Sequence, residues 1–437
     1  MNKELYYSYN ILKKVYFEKA YAGIELNKLQ NLHKGDINTG LVTKIVYGVL
    51  ENDIRLEYVV SKFIKKAPEK SIELILKIGA YVNENINSIP TFALVNELVN
   101  IVKKYESKFA GGFVNATLKN IIKTKVALPS KEKNLMQHLS IKYSYPNWLV
   151  ERFVKDYGED DAEKILASKL TELTHIRINT NKTSIKDFIS SLTKNNIAFE
   201  NGIKEDLLLV DYEKLINFKD LETHYVVQGL PSVITALNVC QGEKGKEILD
   251  LCSAPGGKSV LMAENNPKSN IISADIYPHR LKLVEKYRDK YEIQNIKTLV
   301  NDASKLNKEW IEKFDFVLCD VPCSNTGVIG KKPDVLLNRN PENVADLRNL
   351  QMEILKTASN YVKPNGILVY STCSILKEEN IDIIKEFLKD NKNFELEEVD
   401  TLGLEVLKQD KTITFLPHLS HTEGFFIGRM KRKWQYF

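Results

Sequence analysis

The sequence predicts an α/β protein in which a largely parallel sheet with helices on both faces follows an all-α domain and a small α/β domain. Two observations predict it. From about residue 245 strand and helix patterns alternate, with strand runs at 248–251, 271–274, 296–300, 314–319, 366–370, 394–399 and 425–430. Before residue 126 strand signals are scarce, and apolar residues recur at helical spacing, as in Leu41, Ile45, Val46, Val49 and Leu50. A chain of 437 residues is too long for one core, so domains are expected at 1–126, 127–233 and 234–437.

Composition narrows the class. At 43% hydrophobic and 27% charged the chain is that of an ordinary globular protein, and no apolar run approaches the length of a membrane span. The N-terminus lacks the apolar segment of a signal peptide, so a cytoplasmic protein without membrane partners is expected. The five cysteines, Cys240, Cys252, Cys319, Cys323 and Cys373, are odd in number and scattered, which argues for reduced thiols. Residues 1–125 hold 19 Lys and Arg against 12 Asp and Glu, so the net charge of +5 is concentrated there. That is a footprint of nucleic-acid binding, and on charge alone a solvated lysine surface explains it as well.

The all-α domain is built from helical stretches at 4–29, 41–66, 71–83 and 91–125, with Asn38-Thr39-Gly40 and Ser88-Ile89-Pro90 as punctuation. The last stretch carries Lys103-Lys104-Tyr105 and Gly111-Gly112, where glycines admit close backbone approach and the basic face can grip phosphates. Residues 126–146 read as a linker into a helix near Trp148. In the middle domain a period-two strand at 173–179 carries Arg177, for which a surface ion pair is the default over an RNA contact, and His175, which has no ligand partner nearby and receives no role. A helix at 185–192 and a short strand at 207–210 complete it.

The chemistry concentrates in the third domain. The first strand there runs into Asp250-Leu-Cys-Ser-Ala-Pro-Gly-Gly-Lys-Ser259, a glycine turn opening a helix, whose amides can approach a cofactor. Its ending mimics a phosphate-binding loop, which would need glycine at the position of Cys252. Asp275 ends the second strand 18 residues after Gly257, where an acid can hold ribose hydroxyls, and Asp302 follows the third strand, placed to read an adenine edge. Asp320 ends the fourth, and Pro322 stiffens the exit towards Cys323. The strand at 366–370 ends in Ser371-Thr-Cys373-Ser374. Cys319 and Cys240 read as small core residues, and Cys252 as part of the cofactor turn. No histidine or Cys-x-x-Cys pair supports a metal site, so Cys323 and Cys373 remain as candidate nucleophiles.

Asp250 to Lys258, Asp275, Asp302, Asp320-Val-Pro-Cys323-Ser-Asn-Thr-Gly327 and Ser371-Thr-Cys373-Ser374 together resemble the RNA cytosine-C5 methyltransferases that use S-adenosylmethionine. The N-terminal stretch, with Tyr47-Gly48, Gly112-Phe-Val-Asn115 and Leu118-Lys-Asn120, resembles the NusB-like RNA-binding domain fused to such enzymes in the RsmB (Sun) type. The resemblance implies a Rossmann-like methyltransferase domain behind a NusB-like domain and a small middle domain, and methylation of a cytosine in bacterial small-subunit ribosomal RNA. It assigns Cys373 as the thiolate adding to C6, Asp320 as the group holding the base near N3 and N4, and Cys323 as the residue assisting release. For S-adenosylmethionine it implies Cys252, Ser253, Ala254, Pro255, Gly256, Gly257, Lys258, Asp275, Asp302 and Asp320. No metal is expected, and a monomer is.

The target base must be unstacked to be reached. Tyr370 and Phe425 stand near that pocket, though aromatics at strand ends more often belong to the core. Two positions depart from the family pattern. Gly229 stands after Val227-Gln228 where an acid is usual, which puts that acid's contact in doubt, and Val321 replaces the more usual alanine. The alternative function is a non-catalytic RNA-binding assembly factor with a vestigial catalytic fold, against which both thiols and all three acids argue.

Overall fold

The structure, a computed structural model, describes residues 2–33, 35, 37–169, 171 and 173–434. Met1 and residues 435–437, the outer ends of the predicted first and third domains, lie outside the described residues, as do Leu170 and Glu172 of the middle one. By compactness the chain divides into two units, 1–167 with 329–340, and 168–328 with 341–437.

The first unit is helical: α1 (Lys3–Glu18), α2 (Ala22–Leu32), α3 (Thr39–Glu51), α4 (Asp53–Ser61), α5 (Lys70–Asn85), α6 (Thr91–Tyr105), α7 (Ala110–Lys123), α8 (Leu135–Tyr143), α9 (Asn147–Tyr157) and α10 (Glu159–Ala167). Asn2 and Asn38 start α1 and α3 by accepting from the amides of Leu5 and Leu41, satisfying donors that a helix start leaves open. The apolar stripes of α1, α3, α5, α6 and α7 meet in one core around Leu12, Ile45, Ile75, Leu98 and Leu118. Gly48 lets α3 and α5 approach, because a Cβ there would lie 1.9 Å from the Tyr81 ring. Gly111 and Gly112 behave differently from expectation: Gly111 faces the Lys103 side chain and Gly112 faces open space, so neither admits another backbone. The inserted segment 329–340 packs here too. Its Pro333–Asn338 turn lies against α3, Leu337 joins the core, and the buried Asp334 accepts from the Ala22 amide at 3.3 Å.

The second unit opens with a four-stranded antiparallel sheet, β1 (Thr174–Ile178), β2 (Phe199–Asn201), β3 (Leu207–Val210) and β4 (Tyr225–Val227), in the order β2-β3-β1-β4. Helices α11 (Ile185–Lys194) and α12 (Tyr212–Leu215) accompany it. Arg177 is buried in β1 and pairs at 2.6 Å with the equally buried Glu264, which corrects the expected surface ion pair. The expectation failed because the period-two pattern turns Arg177 to the face that meets the larger sheet's helices rather than water.

The large sheet has nine strands: β5 (Lys244–Asp250), β6 (Lys268–Asp275), β7 (Ile296–Val300), β8 (Phe314–Asp320), β9 (Val362–Thr372), β10 (Phe394–Glu397), β11 (Leu407–Gln409), β12 (Thr412–Phe415) and β13 (Phe425–Arg432). Their order is β11-β12-β13-β9-β8-β5-β6-β7, with β10 also on β13. From β7 to β9 every pairing is parallel, and every pairing of β13 is antiparallel. Of the last strands, β11 and β13 run against the predicted parallel sense, because the chain reverses at the β11–β12 hairpin and again on its return from β12 to β13. Helices α13 (Leu230–Val239), α14 (Gly257–Asn265) and α15 (Pro278–Lys290) cover one face, where Val233, Val260 and Leu281 pack with Leu318. On the other face α16 (Pro341–Ser359) and α17 (Ile381–Asp390) bring Leu355 and Ile384 against Val317 and Cys319. The chain winds outwards from β5 through β6 to β7 and then returns to β8 on the other side of β5. Such a reversal opens a crevice at the carboxyl ends of β5 and β8.

Candidate active site

The crevice is lined by Cys252, Ser253, Ala254, Pro255, Gly257 and Lys258 from the turn after β5, by Asp320 from β8, and by Gln228 and Gly229 from the start of α13, around about 170 Å³. Gly256 makes the turn with φ of 110°, a conformation that favours glycine, and starts α14 with its amides towards the crevice. Several buried polar atoms here have no hydrogen-bond partner: both side-chain ends of Gln228, Oδ1 of Asp250 and Oγ of Ser253. Buried polar groups left open in this way fit a polar ligand. Asp250 accepts from Ser259 at 2.6 Å, and burial, only partly offset by that bond, pushes its pKa up to about 7.

Asp275 and Asp302 lie one and two strands along the same edge, outside this lining. Asp275 is buried, accepts from the Tyr277 amide at 3.0 Å and has Arg280 at 3.4 Å. Asp302 accepts from the Ser304 hydroxyl at 2.7 Å and meets Lys305 at 3.0 Å, and these contacts hold its pKa below the usual carboxyl range.

Asp320 pairs with the Lys258 ammonium at 2.7 Å and accepts from Ser371 at 2.7 Å, because β8 and β9 set Asp320 beside Ser371. Burial works against the charge on Lys258, but Asp320 foremost, with Asp250 and Cys373, keeps its pKa raised. The Phe425 ring lies beneath that ammonium at 5.2 Å, so Phe425 does border the site, whereas Tyr370 is a core residue donating to the Glu379 carbonyl at 2.6 Å.

Two residues beyond Ser371, the Cys373 Sγ lies 3.0 Å from the Cys323 Sγ, and the Asn325 Oδ1 is 2.8 Å from Cys373. The hydrogen bond to Cys373, with burial, holds the Cys323 thiol pKa well above its usual value. Cys319 is buried in β8, and Cys240 is buried beside Asn266 with its pKa pushed up to about 12 by burial. Cys252 is half-buried at the crevice. Among the described residues no group of three or more His, Cys, Asp or Glu is arranged to hold a metal.

Behind the thiols stands a residue that sequence reasoning missed. Glu379 is fully buried and accepts from the Ser324 amide at 2.8 Å, the Ser324 hydroxyl, the Ser374 hydroxyl at 2.5 Å and Gln351 at 2.9 Å. Gln351 also donates to the Pro322 carbonyl at 2.9 Å. The signal was present in Glu378-Glu379-Asn380, acids at the head of an amphipathic helix close behind a thiol motif. The departure at Gly229 also has a physical account, since a Cβ there would lie 1.8 Å from the Glu423 carboxyl. Glu423 occupies the space an acidic side chain would need.

This arrangement matches known proteins along its whole length. The family model described as 16S rRNA methyltransferase RsmB/F matches residues 234–431, the NusB family matches 4–123, and the RsmF/B-like ferredoxin-like domain matches 145–210. A probable ribosomal RNA small subunit methyltransferase B of Bacillus subtilis (strain 168) is 31% identical over 431 residues, 95% of each chain. The chain belongs to the ribosomal RNA small subunit methyltransferase B family. Another relative of that family, from Synechocystis sp. (strain ATCC 27184 / PCC 6803 / Kazusa), is 27% identical and covers 97% of this chain and 98% of its own. Among solved structures, PH0851 shares the fold with a TM-score of 0.85 at 23% identity, covering 99% of both chains. NSun6 from Pyrococcus horikoshii gives 0.58 at 22% identity over 67% of this chain and 100% of its own. The chain is thus a ribosomal RNA methyltransferase with a NusB-like N-terminal domain, and none of its described helices is long and apolar enough to cross a membrane.

Proposed function

We propose that the enzyme methylates C5 of a cytosine in small-subunit (16S) ribosomal RNA from S-adenosylmethionine through a covalent adduct, acting in the cytoplasm as a monomer. The observation that carries this reading is the pair of thiols 3.0 Å apart, two and three residues past an aligned Ser371 and Asp320. Cytosine C5 is a poor nucleophile, and a thiolate adding at C6 turns it into an enamine carbon. Cys373 forms the S–C6 bond, and Asp320 holds the base near N3 and N4. Bound S-adenosylmethionine supplies an electrophilic methyl group. Cys323 then assists release, in which the C5 proton leaves, the S–C6 bond breaks and Cys373 regains its electron pair.

The residues present fit that cofactor. The open polar atoms of Gln228, Asp250 and Ser253 suit its amino-acid end, and Asp275 and Asp302 further along the edge suit ribose and adenine. For the RNA, the first unit offers a row of rings: His33 to Tyr7 at 5.0 Å, Tyr7 to Tyr6 at 5.5 Å and Tyr6 to Tyr105 at 4.9 Å. Lys104 lies 5.1 Å from the Tyr105 ring, and Phe109 nearby is 97% exposed. Aromatic faces interleaved with lysines suit unpaired bases and phosphates.

The thiols test the mechanism. Cys373→Ala is expected to abolish both methylation and any protein–RNA adduct. Cys323→Ala is expected to accumulate a cofactor-dependent adduct that survives denaturing electrophoresis. Normal turnover without adduct in Cys323→Ala would leave that residue a packing role, and an adduct only in Cys373→Ala would exchange the two.

A further inference from the structure

Asn325 stands in the left-handed backbone region, with φ of 63°, on the loop that follows Cys323. That conformation turns its side chain back onto both thiols: Oδ1 lies 2.8 Å from Cys373 and 3.8 Å from Cys323. The loop is tied to the nucleophile by its main chain, because the Gly327 amide donates to the Cys373 carbonyl at 3.0 Å. Charged groups facing the thiols among the described residues include Lys258, already paired with Asp320, and Glu379 behind Cys323. Asn325 is an uncharged polar group within hydrogen-bond reach of Cys373.

We propose that Asn325 is a positioning residue for Cys373, accepting from the thiol in the resting protein and donating an amide hydrogen to the thiolate once the proton has left to solvent. A carboxamide carries an acceptor and two donors on one carbon, so a half-turn about Cβ–Cγ exchanges them without moving the chain. A hydrogen bond to an ionised partner is the stronger of the two, so Asn325 favours the thiolate overall. The assignment rests on the proposed role of Cys373 as nucleophile.

The test reads the thiol without RNA. In the full chain, the rate of alkylation of Cys373 by iodoacetamide is followed against pH and resolved from other cysteines by peptide mass spectrometry. Asn325→Gly keeps the backbone unstrained at this φ, so it removes the amide alone. It is expected to raise the midpoint by about one pH unit, a roughly tenfold slower reaction below it. Asn325→Asp should raise it further, since a carboxylate cannot donate and opposes the thiolate. Unchanged S-adenosylmethionine affinity by calorimetry identifies a folded variant. A midpoint that stays or falls in Asn325→Gly overturns the proposal. Methylation that persists in Cys373→Ala would instead overturn the covalent reading, and the alkylation profile would still report on Asn325.

Discussion

Cys323 and Cys373 are each followed by a serine, and both serines donate to the one buried carboxyl of Glu379. A single group therefore pins two strand exits in the register that holds the sulfurs together. Glu379→Ala would leave an amide, two hydroxyls and a carboxamide without their acceptor, a loss of about 3 kcal/mol or more by chemical denaturation. Methylation should fall with it, and Glu379→Gln, which keeps the volume, should lose less. Wild-type stability in the alanine variant would remove Glu379 from this role. Asp250 makes a pH-dependent contribution instead. Its folded pKa of about 7 lies above the value near 4 of an unfolded carboxyl. The contribution favours folding fully below pH 4 and is lost as pH rises through 7. Asp250→Asn removes that dependence, so its melting temperature relative to wild type should climb between pH 5 and pH 8. A constant difference would mean that Asp250 titrates normally. The thiols and acids were legible in the sequence because each stands within a few residues of a strand end. For Glu379 the sequence offered only an acidic helix start close behind the thiol motif, and its role was hidden because its partners come from three separate segments that meet only after folding.

At the scale of elements, the exits of β8 and β9 and the entry of β13 are laced by main chain. The Gly327 amide donates to the Cys373 carbonyl at 3.0 Å, and the Gly424 amide donates to the Gly327 carbonyl at 2.8 Å. A Cβ on Gly327 would stand 2.0 Å from the Gly424 carbonyl oxygen, so Gly327→Ala must push two backbones apart. It should lower the melting temperature and methylation together while leaving cofactor affinity near wild type, as calorimetry would show. An alanine variant with normal turnover would mean the lacing is dispensable. The strands themselves were legible because buried parallel strands read as short apolar runs. The direction of β13 was not, since strand sense depends on the connection, and the return from β12 to β13 through residues 416–424 is too short to show a periodic pattern. At α13 a single glycine looked like a lost function, and only the folded chain shows that Glu423, nearly two hundred residues on, fills the space.

For the whole molecule, the concentration of basic residues in the first unit leads to a prediction about salt. Lys104→Glu with Lys108→Glu in the full chain should weaken RNA binding several-fold and flatten the slope of log affinity against log salt by about one for each phosphate no longer neutralised. Filter binding across a salt series measures both, and an unchanged slope would return these lysines to a merely solvated surface. Charge and helical period made this unit readable from sequence, but nothing in them foretold that residues 329–340, which follow the thiol loop directly, pack with it. The backbone consequently passes between the two units at 167–168, at 328–329 and again at 340–341. A gene for this protein cannot be shortened like a string of beads. A start codon placed after the first unit would encode a catalytic half carrying an orphaned hook, with Leu337 stripped of its apolar neighbours, and cellular proteases would meet a loose loop just past Cys323 rather than a minimal enzyme.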